Sequence, residues 1–160
     1  MTIKRIERGE VKETTCTKDY ISVCLRTAIK RNMYELVVKL LSHERCIAYG
    51  INPNYKDAKG TGKFIFHHVC IVGNPKVVQV FLDHDEVDVR IEDMLGNGPL
   101  HHAAKMNHAD AVEMLMKDER IDINATNKSG SSALMLASTD GAVESVEKLL
   151  GVEGVESKSY

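Results

Sequence analysis

Apolar residues recur along this chain at helical spacing, in short paired runs. Leu100, Ala103 and Ala104 share one stripe, and Val112, Leu115 and Met116 form a second at the i, i+3, i+4 spacing. Earlier in the chain, Tyr20–Arg31 and Tyr34–His43 read as another pair. The predicted unit is a turn, a short helix, a tight loop, a second helix and a return loop. The small residues Ala103, Ala104 and Ala137 allow close helix approach. Asn74-Pro75 predicts a helix N-cap followed by Pro at the first helical position. Gly60, Gly96 and Gly130 fall at one phase of the unit, where a turn needs positive φ.

The unit repeats every 34 residues: His67-His68 returns as His101-His102. Around it, Phe66–Cys70 matches Leu100–Ala104, Val78–Leu82 matches Val112–Met116, and Val87-Asp88-Val89 matches Ile121-Asp122-Ile123. The same shift carries Asp93 to Asn127, Gly96 to Gly130, Leu100 to Leu134, Ala103 to Ala137 and Leu115 to Leu149. The first unit is the least regular. Its second helix stands 41 positions before the next, Val37 to Val78, with extra residues near Gly62-Lys63 and in Glu44–Gly50, an enlarged loop. The expected organisation is a charged segment at 1–19, units at about 20–56, 57–92, 93–126 and 127–150, and a polar tail at 151–160. One unit cannot bury both of its faces, so stability comes from stacking on neighbours.

Composition fits this picture. The 160 residues contain no Trp, 5 Tyr and 3 Phe, so the core is aliphatic, which favours stacked helices over a sandwich or barrel. Net charge is −2, and the pI of about 6.4 is not that of a dedicated nucleic-acid binder. Residues 1–45 hold ten Lys/Arg and six Asp/Glu, a net of +4, and the remainder holds eleven and seventeen, a net of −6. No window reaches the ~18 apolar residues of a membrane span. The opening MTIKRIERGEVKE lacks the apolar run of a secretory signal. Cysteines at 16, 24, 46 and 70 show no CxxC and are expected to be reduced thiols, consistent with a cytoplasmic or nuclear protein.

The stretch D-M-L-G-N-G-P-L-H-H-A-A-K-M-N-H, Asp93 to His108, resembles the ankyrin repeat, with its signature D-x-x-G-x-T-P-L-H-x-A-A-x-x-G-H. Ile121–Ala125 is similar to that family's A-D-V-N-A, and Asn127–Ser138 and Asp57–Cys70 are further matches. Gly98 and Ser132 replace the usual Thr, and Met135 replaces the signature His in the last unit. The resemblance implies an all-α ankyrin solenoid, its helix-turn-helix units joined by β-turn or hairpin loops. It implies structural roles for His67, His101, Gly96, Gly130, Leu100, Leu134 and Leu115. It further implies a non-catalytic scaffold that binds another protein, as adaptor or inhibitor, through turn tips and first helices. By register that surface includes Lys59, Thr61, Ile71, Val72, Met94, Leu95, Asn97, Lys105, Met106, Lys128, Ser131 and Asp140. Ile71, Val72, Met94, Leu95 and Met106 are apolar where the fold does not demand it, which marks an interaction patch. Short ankyrin chains resemble viral IκB-like inhibitors of Rel/NF-κB factors, and Phe64–Cys70 is similar to their I-F-H-E-I-C motif. The size also fits the ankyrin inhibitors of cyclin-dependent kinases. The expected state is a monomer without cofactor, nucleic acid or membrane.

Other chemistry is weaker. The paired histidines suggest a metal-binding alternative, but equivalent side chains in stacked repeats lie about 10 Å apart, too far for the ~2.0–2.1 Å bonds of one zinc. Cys70 takes a small-residue packing position rather than that of a nucleophile. Asp83, Asp85, Glu86, Asp88, Glu92 and Asp93 form an acidic cluster, expected to be solvated, with no Gly-centred calcium loop. Gly60-Thr61-Gly62-Lys63 lacks the spacing of a phosphate loop.

Overall fold

The computed structural model describes residues 18–41, 52–56 and 62–151, with side chains from Cys24 onward. Among these are eight helices: α1 Lys18–Lys30, α2 Tyr34–Leu41, α3 Ile65–Val72, α4 Pro75–Leu82, α5 Pro99–Lys105, α6 Ala109–Met116, α7 Ala133–Thr139 and α8 Val143–Leu150. They pair in sequence. The first helices form one row, in which α1 packs on α3, α3 on α5 and α5 on α7. The second helices form the other, in which α2 packs on α4, α4 on α6 and α6 on α8. The fold is an all-α solenoid. No extended strand occurs among the described residues, and the isolated bridges Lys56↔Phe64 and Thr126↔Ser132 close the hairpin-like turns. The enlarged loop at Glu44–Gly50 and the turn residue Gly60 lie outside the described residues.

Seven- and eight-residue helices are too short to persist alone in water. What holds them is one continuous apolar core, mostly aliphatic. Phe81, Leu115 and Leu149 stand 34 residues apart on α4, α6 and α8, and all three are fully buried. Ala103, Ala104, Ala111 and Ala137 are equally buried, and their small side chains let the rows approach. Phe66 and Phe81 stack with centroids 5.7 Å apart between α3 and α4. Asn74 caps α4 by accepting from the Lys76 N–H at 3.0 Å, with Pro75 beginning the helix.

The tight loop inside each unit depends on one left-handed residue: Asn32, Gly73, Asn107 and Gly141, at φ of 54°, 71°, 60° and 70°. Gly73 has a second constraint. The His108 ring lies over it, donating from Nε2 to the Ile71 carbonyl at 2.9 Å, and a β-carbon on Gly73 would meet that ring at 2.1 Å. Gly141 faces open space. Gly141→Ala is therefore expected to cost about 1–2 kcal/mol, the penalty of a left-handed L-residue. Gly73→Ala is expected to cost an additional ~1–3 kcal/mol for displacing His108. Urea melts of the two variants check this, and equal midpoints would remove His108 from the account.

Candidate protein-binding face

The site begins in the turn that opens each unit. Asp93 accepts from the backbone N–H of Leu95 at 2.8 Å and of Asn97 at 3.0 Å, which folds the chain back so that Gly96 takes φ 78°. A side chain at Gly96 would press a β-carbon to 2.9 Å from the Lys128 backbone nitrogen. Asn127 repeats the device one unit later, accepting from Ser129 and Ser131, both at 3.0 Å, with Gly130 at φ 74°. The two tips are tied together. Lys128 donates its N–H to the Leu95 carbonyl at 3.0 Å and its Nζ to the Met94 carbonyl at 2.9 Å, and Asn127 donates to Asn97 at 2.8 Å. These bonds hold the tips as a rigid row and leave the side chains of Met94 and Leu95 pointing to solvent.

Beneath the tips lies a histidine network. His67 and His101 each sit in the first turn of a first helix. Their Nδ1 atoms accept from the backbone N–H of Phe64 at 3.1 Å and of Gly98 at 3.2 Å. The Nε2 of His67 donates to the carbonyl of Ile91, in the return loop of its own unit, at 3.3 Å, and that of His101 donates to the carbonyl of Ser131, in the turn of the next unit, at 3.2 Å. The hydroxyl missing at Gly98 therefore leaves the backbone-to-histidine bond intact. Where Met135 replaces the histidine, Ser132 Oγ accepts from the Met135 N–H at 3.3 Å instead. His102 donates from Nε2 to Asp93 at 3.0 Å. Burial lowers His67 and His102 to about 4, and for His102 the neighbouring His67 adds to the effect. His101 is also lowered, again by burial. Burial alone raises the Asp93 carboxyl, but the Asn97 and Leu95 amides and His102 outweigh it and bring it below its ordinary value.

Asp93 corrects one expectation. It is not a solvated member of an acidic cluster but a buried turn-former, because two backbone amides and one imidazole replace its water. Asp83, Asp85, Glu86, Asp88 and Glu92 are exposed. The histidines also depart from the repeat register. The close pair is His67 with His102, ring centroids 5.0 Å apart, a diagonal contact rather than one between equivalent positions. Among the described residues no three His, Cys, Asp or Glu side chains are placed to share a metal. Cys70 is fully buried, which pushes its thiol well up.

The register-derived surface residues separate into groups. Met94, Leu95 and Met106 are 60%, 61% and 43% exposed. Lys105, Lys128 and Asp140 are exposed, Lys105 and Asp140 pairing at 3.4 Å, while Asn97 and Ser131 are half-buried at the base of the tips. Val72, the last residue of α3, is half-buried and packs against the core. Ile71 is likewise only half-buried, not free on the surface. Lys59 and Thr61 lie outside the described residues. The tips and first helices enclose a groove of about 370 Å³, walled by Ile71, Leu95, Met106 and Leu136, with Lys63 and Lys105 among its lining residues. Sequence reasoning missed Lys63 and Leu136. Leu136 is the 34-residue counterpart of His102, and its apolar replacement of a polar residue was the available signal.

Paired short helices in two rows, with hydrogen-bonded tips carrying exposed apolar side chains, define a helical-repeat binding scaffold. The family model for ankyrin repeats (three copies) matches residues 25–127, and the chain belongs to the ankyrin-repeat family. A comparison with curated proteins found no match. Ankyrin repeats are in general protein–protein interaction modules, and as a family they are non-catalytic scaffolds.

Proposed function

We propose that this chain binds a partner protein through the face formed by its turn tips and first helices. It acts there as an adaptor or inhibitor by occupying the partner's surface, as a monomer in the cytoplasm or nucleus. The observation that carries the reading is the set Met94, Leu95 and Met106, large apolar side chains exposed on a scaffold whose backbone is fixed beneath them. Exposed apolar side chains that gather on one face mark interaction sites, and methionine adapts to irregular partners. No nucleophile, metal or cofactor enters this reading.

The choice between a Rel-type partner and a cyclin-dependent kinase does not rest on Phe64–Cys70. Ile65, Phe66, His67, Val69 and Cys70 are all buried, so that segment serves packing and presents no side chains of these residues to a partner. Specificity resides instead in the exposed tips.

Met94→Asp combined with Met106→Asp is expected to leave the melting temperature within a few degrees of wild type, since neither side chain belongs to the buried core. The same variant is expected to lose capture of the partner in pull-downs from cell extract, scored by mass spectrometry. An unchanged capture profile removes this face from consideration.

A further inference from the structure

We propose that Asn97-Gly98 is a self-modifying site, at which the Asn97 side chain loses ammonia through a cyclic imide and then takes up water to become an acid. The residue after the asparagine carries the first part of the argument. Gly98 stands where the repeat signature has Thr, and the turn does not require a glycine there. Its φ of −86° and ψ of −179° are extended backbone. A β-carbon on it would make ordinary contacts, 3.6 Å to the Ile91 carbonyl and 3.8 Å to His101 Nδ1. What glycine changes is access: no side chain at this position shields its nitrogen from the Asn97 amide one residue back. No other asparagine of the chain precedes a glycine.

Three further groups meet the reacting atoms. The Gly98 N–H donates to His101 Nδ1 at 3.2 Å, within the reach of a general base. His101 carries its own proton on Nε2, which donates to the Ser131 carbonyl, so the Nδ1 lone pair faces the Gly98 proton. Asn97 Oδ1, where negative charge develops on attack, accepts from Asn127 Nδ2 at 2.8 Å, the separation of an oxyanion donor. Asn97 Nδ2, the leaving group, donates to Asp93 at 3.4 Å, so both ends of the amide are oriented. The Asp93 charge is itself met by His102 at 3.0 Å and by Lys63 at 3.9 Å. In the step these groups serve, the Gly98 nitrogen bonds to Asn97 Cγ as its proton passes to His101. The Cγ–Nδ2 bond then breaks, the proton goes on to Nδ2, and ammonia leaves behind a five-membered imide. Water opens the imide at either carbonyl and gives aspartate or isoaspartate. The product sets a carboxylate beside the buried Asp93 carboxylate in place of a donor. The isoaspartate form also adds an atom to the backbone next to the carbonyl that accepts from the Asp93 N–H at 3.1 Å. Either product loosens the tip that holds Met94 and Leu95.

The test incubates the folded full chain at neutral pH and follows ammonia loss by mass spectrometry of the tryptic segment 91–105, in which Asn97 is the one side-chain amide. The folded chain is expected to react about tenfold faster than a synthetic peptide of the same residues, a small part of what a positioned base and an oxyanion donor can supply. Gly98→Thr and His101→Gln are each expected to slow the folded chain by about tenfold or more, with circular dichroism melts showing that both are folded. Glutamine can keep both hydrogen bonds of His101 but is not a base. Should His101→Gln fail to fold, Asn127→Asp gives the same reading. It keeps the acceptor for the Ser129 and Ser131 amides and removes the donor to Asn97 Oδ1, so the rate is expected to fall. A folded chain that loses ammonia no faster than the peptide overturns the proposal, because the turn then only restrains Asn97. A wild-type rate in any of the folded variants overturns it as well.

Discussion

Leu115→Ala is expected to lower the free energy of unfolding by about 2–5 kcal/mol, a large part of the 5–15 kcal/mol typical of a domain. Leu115 is fully buried on α6, at the phase occupied by Phe81 on α4 and Leu149 on α8. Truncation there removes the side chain that an interior unit shares with both neighbours, and short helices on either side limit how far the cavity can collapse. In a repeat stack, stability is close to a sum of units and their interfaces, so position matters as much as burial. Leu149→Ala removes an equally buried side chain, but from the last described unit, where only one neighbour is lost. It is expected to fray α8, with a shallower denaturant dependence, whereas Leu115→Ala shifts the midpoint of the whole transition. Leu150→Ala, next in sequence and largely exposed, is the control and should cost less than about 0.5 kcal/mol. Urea unfolding followed by circular dichroism checks all three. A Leu115→Ala midpoint equal to that of wild type would end the assignment of this side chain to the core.

The same 34-residue register that identifies Leu115 makes most of the stack legible in the sequence. Equivalent positions report equivalent environments along it: Leu100 and Leu134 are both buried, and Gly96 and Gly130 both take positive φ. Register does not report contacts that run diagonally. His67 aligns with His101, yet its ring meets His102, because each first helix packs on the next with an offset that brings the following residue of one helix against the preceding unit. Charge counting also misplaces Asp93, since a count treats every carboxylate as solvated and cannot see that a turn supplies two amides to it. Its neighbour one unit on is informative. Where Asp93 becomes Asn127, His102 becomes Leu136, so the ionic partner and the imidazole are replaced together while the two turn hydrogen bonds persist. The groove carries both features. Asp93 and His102 line it, and one wall is Leu136, the leucine that replaces the histidine one unit on.

Stability is expected to fall steeply as pH drops from about 6.5 toward 4, before most carboxylates titrate. His67 and His102 are held at about 4 in the folded chain, against an ordinary value of 6.5, because burial penalises the charged ring. The unfolded chain therefore binds more protons than the folded one throughout that window, and stability rises with pH across it. Each histidine contributes about 1.4 kcal/mol per pH unit in the middle of the window, so the pair contributes roughly 3. His101, lowered in the same direction, adds to the slope. The geometry supplies the mechanism. A proton on Nδ1 of His67 or His101 removes the acceptor for the Phe64 or Gly98 N–H and places a cation between two units. Asp93 favours protonation of His102 through its charge and its hydrogen bond, but burial, with the neighbouring His67, outweighs it and keeps the ring's value low. Its own loss comes later: a carboxyl lowered by folding stabilises above its ordinary value of 3.8, and that contribution disappears as pH falls further. Unfolding free energies at intervals from pH 7.5 to pH 4.5 test the slope, and His102→Gln should reduce it by about 1.4 kcal/mol per pH unit. A flat profile across this range, or a slope unchanged in His102→Gln, would show that the folded stack takes up these protons as readily as the unfolded chain and that its histidine hydrogen bonds do not depend on the neutral form.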